Sequence, residues 1–393
     1  MINEEMMGLG KKSSVIREIF EYGNKRKAEI GEENVFDFSL GNPSIPAPKR
    51  VTDTMLGLLR DSDPLSLHGY TSAAGDMEVR TAIAEDISRR FGALASPSLV
   101  YMTCGAAASL TISLNALINS GDEVILIAPY FPEYRVFAEK AGATVRIVKC
   151  AEDFQIDLDA LDKAINKQTK AIIVNSPNNP SGAVFSEETV VGLTELLKKR
   201  SEELHTDIFI IADEPYRELV YGGVSVPYIS NYYGNTLVCY SFSKSLSLPG
   251  ERIGYIFVSP KAKDATDIFA AVCGAGRSLG YVCAPSLLQY TVKECLGQTA
   301  DISVYETNRD LLYNSLTEYG YSAVRPDGAF YLFLRSPDPD ARTFCEAAKK
   351  YELLLVPADS FGCEGYVRIS YCVKTETIKR ALPAFKKLIE EYR

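Results

Sequence analysis

Strand-length apolar segments alternate with helix-like stretches between about residues 51 and 259. Several of these segments are apolar at every position, as expected of parallel strands whose two sheet faces are both covered. The pattern therefore predicts an α/β domain with a mostly parallel sheet. The strand segments span residues 123–129, 144–150, 170–177, 207–215, 236–243 and 253–260, and the helix segments span 106–119, 134–141 and 186–201.

The pattern changes after Pro285. A long helix-like stretch with few glycines or prolines extends to about residue 319, and two short strands over 328–335 and 366–371 follow before a helix over 375–392. This order predicts a second, smaller α+β unit. The length of 393 residues is also more than one ordinary domain needs.

The composition excludes several functional classes. Lys and Arg number 42 against 51 Asp and Glu, a net charge of −9 that argues against a nucleic-acid partner. Only two histidines are present, so we expect no metal site built on imidazoles. Any anionic ligand must be held by a few placed groups, since bulk charge is unfavourable.

The cysteines and the N-terminal sequence bear on location. The nine cysteines form no C-x-x-C pair, and several lie in apolar runs, which is typical of a reduced intracellular protein. The first residues lack the apolar core of a signal peptide, and no run of 18 apolar residues occurs. We therefore expect a cytoplasmic protein that does not associate with membranes.

Polar or glycine-rich residues follow almost every predicted strand. Ligands of open α/β sheets bind outside the carboxyl ends of the strands, so these residues are expected to converge on one active site. Gly105, Ala106 and Ala107 begin a helix, whose free N–H groups can hold a phosphate. The other residues that follow strands are Asn175, Asn178, Asn179, Gly182, Asp213, Glu214, Tyr216, Ser241, Ser243, Lys244 and Ser245.

This inventory suits a phosphorylated, pyridine-containing aldehyde. A lysine forms a Schiff base with the aldehyde, and an aspartate pairs with the protonated ring nitrogen. Tyrosine and asparagine bond a phenolate, while serines, Arg252 and backbone N–H groups bind phosphate. SFSK also matches the S-x-x-K motif of penicillin-binding enzymes, but no S-D-N or K-T-G motif accompanies it.

At these residues the chain resembles the class I/II aminotransferases, fold-type-I enzymes that use pyridoxal 5′-phosphate. The resemblance runs from FSLGNPSIP near residue 40 to YVRISY near residue 370, and it is strongest in NSPNNPSG, ADEPY and SFSKSLSLPGERIGY. It implies a seven-stranded, mostly parallel sheet sandwiched by helices in a large cofactor-binding domain, residues 46–290. A small α+β domain would combine residues 1–45 and 291–393.

The resemblance also implies a role for each site residue. Lys244 would carry the cofactor, Asp213 would bond its ring nitrogen, and Tyr216 with Asn179 its phenolic oxygen. Arg368 would bind the substrate α-carboxylate beside Gly41 and Asn179. The phosphate would be held by Ser241, Ser243, Arg252 and the backbone of Gly105, Ala106 and Ala107, the ring would be covered by Phe131, and Tyr70 would reach the phosphate of the neighbouring subunit in a homodimer.

Two positions depart from the family pattern. The phosphate loop reads GAAAS, so backbone N–H groups act there without a side-chain hydroxyl. The second carboxylate-binding arginine of dicarboxylate-specific relatives has no clear match, and Arg277 is a weak candidate. Strict specificity for aspartate is therefore not expected.

The resemblance predicts a ping-pong transfer of an amino group from an L-α-amino acid to a 2-oxo acid such as 2-oxoglutarate. A β-elimination C–S lyase shares the same cofactor contacts and would release pyruvate and ammonia without an acceptor. A cofactor-binding regulator would need an added DNA-binding segment. The segment before Gly41 is acidic and too short to form one beside the small domain. A NAD-dependent dehydrogenase is excluded because no G-x-G-x-x-G motif follows a predicted strand in this sequence.

Overall fold

The computed structural model describes residues 2–11 and 15–393. The helices are α1 Glu4–Lys11, α2 Val15–Ile30, α3 Lys49–Asp61, α4 Pro64–His68, α5 Met77–Phe91, α6 Ala106–Leu117, α7 Glu133–Lys140, α8 Leu158–Ala164, α9 Glu187–Leu204, α10 Phe242–Ser245, α11 Ala265–Leu279, α12 Ser286–Glu294, α13 Ser303–Glu318, α14 Ala341–Lys349 and α15 Thr375–Glu390. The strands are β1 Phe36–Asp37, β2 Val100–Thr103, β3 Glu123–Ala128, β4 Thr144–Lys149, β5 Thr169–Asn175, β6 Phe209–Asp213, β7 Thr236–Ser241, β8 Gly254–Val258, β9 Ser322–Ala323, β10 Tyr331–Arg335, β11 Leu353–Leu354, β12 Val356–Pro357 and β13 Tyr366–Ser370.

A seven-stranded sheet forms the centre of the molecule, with the strand order β2-β8-β7-β6-β5-β3-β4. Its strands β4, β3, β5, β6 and β7 run parallel, whereas β8 runs antiparallel to both of its neighbours. This confirms the predicted α/β class and the mostly parallel sheet. All six predicted strand segments contain a strand of this sheet.

Helices cover both faces of this sheet, which explains why its central strands lack polar alternation. Along β3, Ile125 and Ile127 pack in one apolar core with α5, α9 and α12. Val124 and Leu126, which alternate with them, pack in a second core with α6, α7 and α11. Because successive side chains of a strand point to opposite faces, an apolar residue is needed at every position.

A smaller four-stranded antiparallel sheet, β12-β13-β10-β9, lies with α13, α14 and α15 around a separate core. A two-stranded parallel pairing of β1 with β11 joins the N-terminal segment to this part of the chain. The long helix predicted after Pro285 is instead two helices, α12 and α13. The chain turns at Gly297, which has a φ of 77°, and the Ala300 N–H donates to the Ser245 carbonyl at 2.7 Å.

No helix among residues 2–11 and 15–393 combines the length and the apolar character needed to cross a membrane.

A buried ion pair fixes the chain just beyond β6. Arg217 donates from Nε to Glu214 Oε2 at 2.6 Å, and both side chains are almost completely buried. The Arg217 guanidinium also donates to the Val226 carbonyl at 3.1 Å and lies over the Tyr228 ring at 4.9 Å. The pair therefore holds the segment that contains both Asp213 and Tyr216.

Replacing Arg217 with Met should destabilise the fold by about 3–5 kcal/mol, because Glu214 would remain buried without a cation. Urea denaturation followed by circular dichroism measures the free energy of unfolding. The control is Lys49→Met, which removes an exposed ion pair with Asp53 and should cost at most about 1 kcal/mol. Equal losses in the two variants would contradict the structural role of Arg217.

Candidate active site

A cavity of about 330 Å³ opens at the carboxyl ends of the parallel strands. Its wall gathers nearly all of the site residues that the sequence predicts. The predicted residues that line it are Gly41, Ala106, Ala107, Phe131, Asn179, Asp213, Tyr216, Ser241, Ser243, Lys244, Arg252 and Arg368. Residues from Ile16 in α2 to Arg368 in β13 thus converge on one site at the carboxyl ends of the parallel strands, as expected for an open α/β sheet.

Asp213 is the last residue of β6 and is buried. Its Oδ2 accepts a hydrogen bond from the Tyr134 hydroxyl, whereas Oδ1 is buried with no hydrogen-bond partner among the described residues. Burial raises the pKa of Asp213 to about 7, partly offset by the Tyr134 hydrogen bond. A protonated ring nitrogen at Oδ1 would supply the missing donor and favour the ionised carboxylate.

Lys244 lies in α10, directly after β7, and its Nζ donates to the Gly41 carbonyl at 2.6 Å. Burial of the amine lowers the pKa of Lys244 from 10.5 to about 8, and the positive charges of Arg252 and Arg368 act in the same direction. A lysine with such a pKa is partly neutral near physiological pH. It is therefore suited to act as a nucleophile and as a general base.

Arg368 lies in β13 of the smaller sheet and is buried at the cavity wall. It donates to the Ser39 carbonyl at 2.5 Å and to Asn179 Oδ1 at 3.2 Å, while its Nε has no partner among the described residues. Its guanidinium lies 4.8 Å from the Tyr331 ring centre and 5.1 Å from that of Phe361. This arrangement leaves donor capacity for an anion, and a guanidinium fits a carboxylate in bidentate geometry.

An anion cradle is formed by α6, β7 and Arg252. Ser241 Oγ and Ser243 Oγ lie 2.7 Å apart, and Arg252 Nη1 lies 3.4 Å from Ser243 Oγ. Gly105 has a φ of 86°, and a Cβ there would lie 2.7 Å from Arg252 Nη2. Glycine therefore lets Arg252 approach the first turn of α6, whose N–H groups favour a phosphate.

Two hydroxyl contacts in the cavity were not predicted from the sequence. Tyr134 bonds Asp213, and Tyr331 lies 2.9 Å, oxygen to oxygen, from Tyr216. Tyr134 comes three residues after Phe131, and the two rings meet edge to face with centres 5.6 Å apart. The position of Tyr134 on the first turn of α7, close to Phe131, could have indicated that it lies in the site. Tyr331 lies in β10, and the sequence alone does not show which face of that strand points to the cavity.

Of the predicted cofactor- and substrate-binding residues, Tyr70 and Gly105 do not line the cavity, and neither does Arg277. The strand-end residues Asn175, Asn178, Gly182, Glu214 and Ser245 also lie outside its wall. Tyr70 is 99% exposed in the chain as described. Arg277 is exposed on α11. Apolar side chains that the sequence did not single out, including Ile16 and Leu40, complete the wall.

Comparison with known proteins agrees with this fold. The profile of the family described as "Aminotransferase class I and II" matches residues 33–385. An aspartate aminotransferase of Thermotoga maritima is 31% identical, with 93% of this chain and 95% of that protein covered. A probable aspartate/prephenate aminotransferase of Aquifex aeolicus is 30% identical over 91% of this chain and 92% of that protein.

Solved structures give the same result. An amino transferase from Eubacterium rectale has a TM-score of 0.98 and 56% identity, covering 100% of this chain and 99% of its own. The aspartate aminotransferase of Thermus thermophilus with maleate has a TM-score of 0.86 and 27% identity, covering 99% of each chain. The chain belongs to the aminotransferase class I and II family. It is a transaminase, and its cofactor is pyridoxal 5′-phosphate.

If Lys244 carries the cofactor, as the resemblance implies, its lowered pKa should make cofactor attachment depend on pH. Below about pH 8 the amine is mostly protonated and unreactive, so attachment of pyridoxal phosphate to the apoprotein should accelerate as pH rises and level off above pH 8. Borohydride trapping followed by peptide mass spectrometry measures this rate at Lys244. Lys263 is the internal control, because Asp207 raises its pKa. A midpoint near 10.5, or cofactor on another lysine, would contradict this assignment.

Proposed function

We propose that this transaminase moves an amino group from an L-α-amino acid to a 2-oxo acid, with 2-oxoglutarate as the acceptor, in a ping-pong cycle. One juxtaposition carries the proposal. A buried carboxylate with an unpartnered oxygen, Asp213, shares a cavity with Lys244, whose pKa is lowered to about 8. Asp213 is suited to accept a hydrogen bond from a protonated ring nitrogen, and Lys244 is suited to react with an aldehyde.

The lining residues fit the cofactor group by group. Asp213 would bond the ring nitrogen through Oδ1, and Asn179 with Tyr216 would bond the phenolic oxygen. The phosphate would lie against the anion cradle, where hydroxyls, a guanidinium and helix N–H groups converge. Its members are Gly105, Ala106, Ala107, Ser241, Ser243 and Arg252. Phe131 would cover one face of the ring.

The chain's own residues would then act on the amino acid. When bound, pyridoxal phosphate supplies an aldehyde that links to the substrate amine and a ring that withdraws electrons from its Cα. Lys244 Nζ would take the proton from Cα and pass it to the former aldehyde carbon, acting as a general base and then a general acid. It would move a proton in the opposite direction when the 2-oxo acid is bound. Arg368 holds the α-carboxylate, which fixes the Cα–H bond relative to Lys244. Gly41 leaves room for this carboxylate and offers its carbonyl to the lysine.

We propose in addition that the active unit is a homodimer in which Tyr70 contacts the cofactor phosphate of the other subunit. Tyr70 is 99% exposed and Leu65 is 85% exposed, and the neighbouring segment carries Tyr281 and Val282, also exposed. The Cys283 N–H donates to the Ala73 carbonyl, which brings the two segments together. A shared apolar patch of this kind is what a two-fold interface buries.

We also propose a division of the chain into two domains and a location of the protein in the cell. A large domain of residues 46–290 would carry the seven-stranded sheet, and residues 1–45 with 291–393 would form the small domain. The pairing of β1 with β11 supports this grouping of the two chain ends. A cytoplasmic location is supported by nine free cysteines.

Asp213→Asn should keep the fold but reduce the rate of transamination by roughly 10²- to 10³-fold, the usual effect of removing one placed electrostatic group. The amide is nearly isosteric but cannot stabilise a ring cation as a carboxylate does. Steady-state kinetics with 2-oxoglutarate give the rate, and circular dichroism checks the fold. Asp207→Asn, which alters an exposed ion pair with Lys263, is the matched control. A rate within a factor of two of the parent would make Asp213 a structural residue only.

Tyr70→Phe should raise the dissociation constant of the cofactor by roughly ten- to a hundredfold and leave the dimer intact, since one charge-assisted hydrogen bond is lost. Complementation tests whether Tyr70 acts across the interface. In heterodimers of Tyr70→Phe and Lys244→Ala subunits, one site carries both changes and the other carries neither. Parental cofactor affinity at the second site is expected, and its absence in verified heterodimers would exclude the shared site.

A further inference from the structure

We propose that Gln289 is a positioning residue of the shared site. Its side chain fastens both ends of the loop that carries Tyr70, and it thereby supports the cofactor phosphate of the partner subunit rather than the phosphate of its own subunit. This inference rests on the proposed function, because it presumes that Tyr70 contacts the phosphate across the interface. It adds the residue that holds Tyr70 in place.

The position of Tyr70 is set by its loop. The Tyr70 loop, residues 69–76, connects the end of α4 to the start of α5. Tyr70 itself is 99% exposed, so its placement depends on the backbone on which it stands. A loop that had to be ordered when the phosphate binds would lose affinity through conformational entropy. A shared site therefore needs a device that keeps this loop in one conformation.

Gln289 contacts the loop near both of its ends. Gln289 Nε2 donates to Thr71 Oγ1 at 3.2 Å, and Gln289 Oε1 accepts from the Asp76 N–H at 2.8 Å. Nε2 also donates to the Ala284 carbonyl at 2.6 Å. Thr71 directly follows Tyr70, and Asp76 is the N-cap of α5. One side chain thus ties the start of the loop to its end.

The three contacts require an amide. Gln289 is completely buried. The Ala284 carbonyl can only accept and the Asp76 N–H can only donate, so the orientation of the amide is fixed by its partners. Glutamate could accept from Asp76 but could not donate to the carbonyl, and methionine could do neither. Either change would leave buried polar groups without partners, which is unfavourable.

Gly75 lets the loop close onto this amide. Its φ is 104°, and a Cβ at this position would clash with the Met102 side chain and lie 3.0 Å from Gln289 Oε1. The Met102 N–H also donates to the Ala74 carbonyl at 2.9 Å. The loop is therefore held between Gln289 and β2.

Helix α12 provides a fixed base for Gln289. Leu288 and Val292, on either side of it in the helix, pack in the apolar core under the large sheet. Ser286 Oγ donates to the Leu67 carbonyl at 2.7 Å, which joins α12 to α4 just before the loop. A side chain on an anchored helix positions a neighbouring loop more precisely than contacts within the loop could.

Gln289→Met tests the role in the homodimer. The variant keeps the length of the side chain but loses its hydrogen bonds to the loop. We expect the dissociation constant of pyridoxal phosphate, from titration of the apoprotein, to rise about tenfold while sedimentation still shows a dimer. The control is Thr291→Val on the same helix, because the buried Thr291 hydroxyl donates within α12 to the Leu287 carbonyl at 2.7 Å. It should keep the parental value, and a parental value for Gln289→Met would overturn the proposal.

Thr71→Val is a second variant that does not depend on the folding of Gln289→Met. It removes the loop hydroxyl that accepts from Gln289 Nε2, and Thr71 is only partly buried. We expect the same direction of change, a several-fold rise in the dissociation constant of pyridoxal phosphate. An unchanged value would show that the contact does not position Tyr70.

Heterodimers show on which subunit Gln289 acts. When Gln289→Met and Lys244→Ala subunits are combined, borohydride trapping at Lys244 reports only the site of the Gln289→Met subunit. That site receives Tyr70 from the other subunit, whose Gln289 is intact. We therefore expect trapping to saturate at the parental concentration of pyridoxal phosphate. Saturation at the raised concentration of the Gln289→Met homodimer would show that Gln289 acts within its own chain, and would overturn the proposal.

A double variant separates this proposal from the shared site on which it rests. Gln289→Met added to Tyr70→Phe should not weaken cofactor binding further, because both changes remove the same contact. Additive losses would make Gln289 a general structural residue. If Tyr70→Phe acts across the interface and Gln289→Met has no effect, the shared site stands and only the role of Gln289 is wrong. If Tyr70→Phe has no effect, the shared site itself is wrong and the role of Gln289 falls with it.

Discussion

The parallel register of β5, β6 and β7 is the constraint on which the site depends. Asn175 lies opposite Asp213, and Asp213 lies opposite Cys239, so β5 and β6 end together while β7 continues two residues further, to Ser241. Asn175 Nδ2 also donates to the Asp213 carbonyl at 2.8 Å, which locks the two ends at side-chain level. A slip of one residue would turn Asp213 away from the cavity and into the opposite core. The apolar cores on both faces of the sheet make such a slip costly, and this protects the position of the carboxylate.

This architecture also has an electrostatic consequence. The cavity concentrates positive charge in a chain whose net charge is −9. Backbone carbonyls and aromatic faces compensate the buried cations without neutralising them. Lys244 uses the Gly41 carbonyl, and Arg368 uses the Ser39 carbonyl and the face of Tyr331. Their charges therefore remain available for the phosphate and the α-carboxylate that we propose this acidic protein binds.

The sequence predicted the sheet and most of the cavity because both follow from local pattern. A strand that is apolar throughout, followed by Asp213 or by Lys244, identifies its own element and its own end. Tyr331 and Ile16 could not be found in this way, since their approach to the cavity depends on how the smaller sheet and α2 pack. The break at Gly297 was missed because a single glycine in a helix-like stretch does not by itself predict a turn. The role of Tyr70 lies outside a single chain and remains a prediction.

Gly41 links the smaller sheet to the cavity at the edge of the larger sheet. A Cβ at this position would clash with the Tyr331 hydroxyl, so glycine is required by a residue of β10 that is remote in sequence. The same Tyr331 hydroxyl meets Tyr216, and its ring supports the Arg368 guanidinium. Tyr331 therefore contacts the loop that holds Lys244, the phenol proposed to bond the cofactor, and the arginine proposed to bind the substrate. A shift of β10 would therefore move the Gly41 loop, Tyr216 and Arg368 together. The proposed substrate recognition and the placement of the reactive amine are thus coupled through one aromatic side chain.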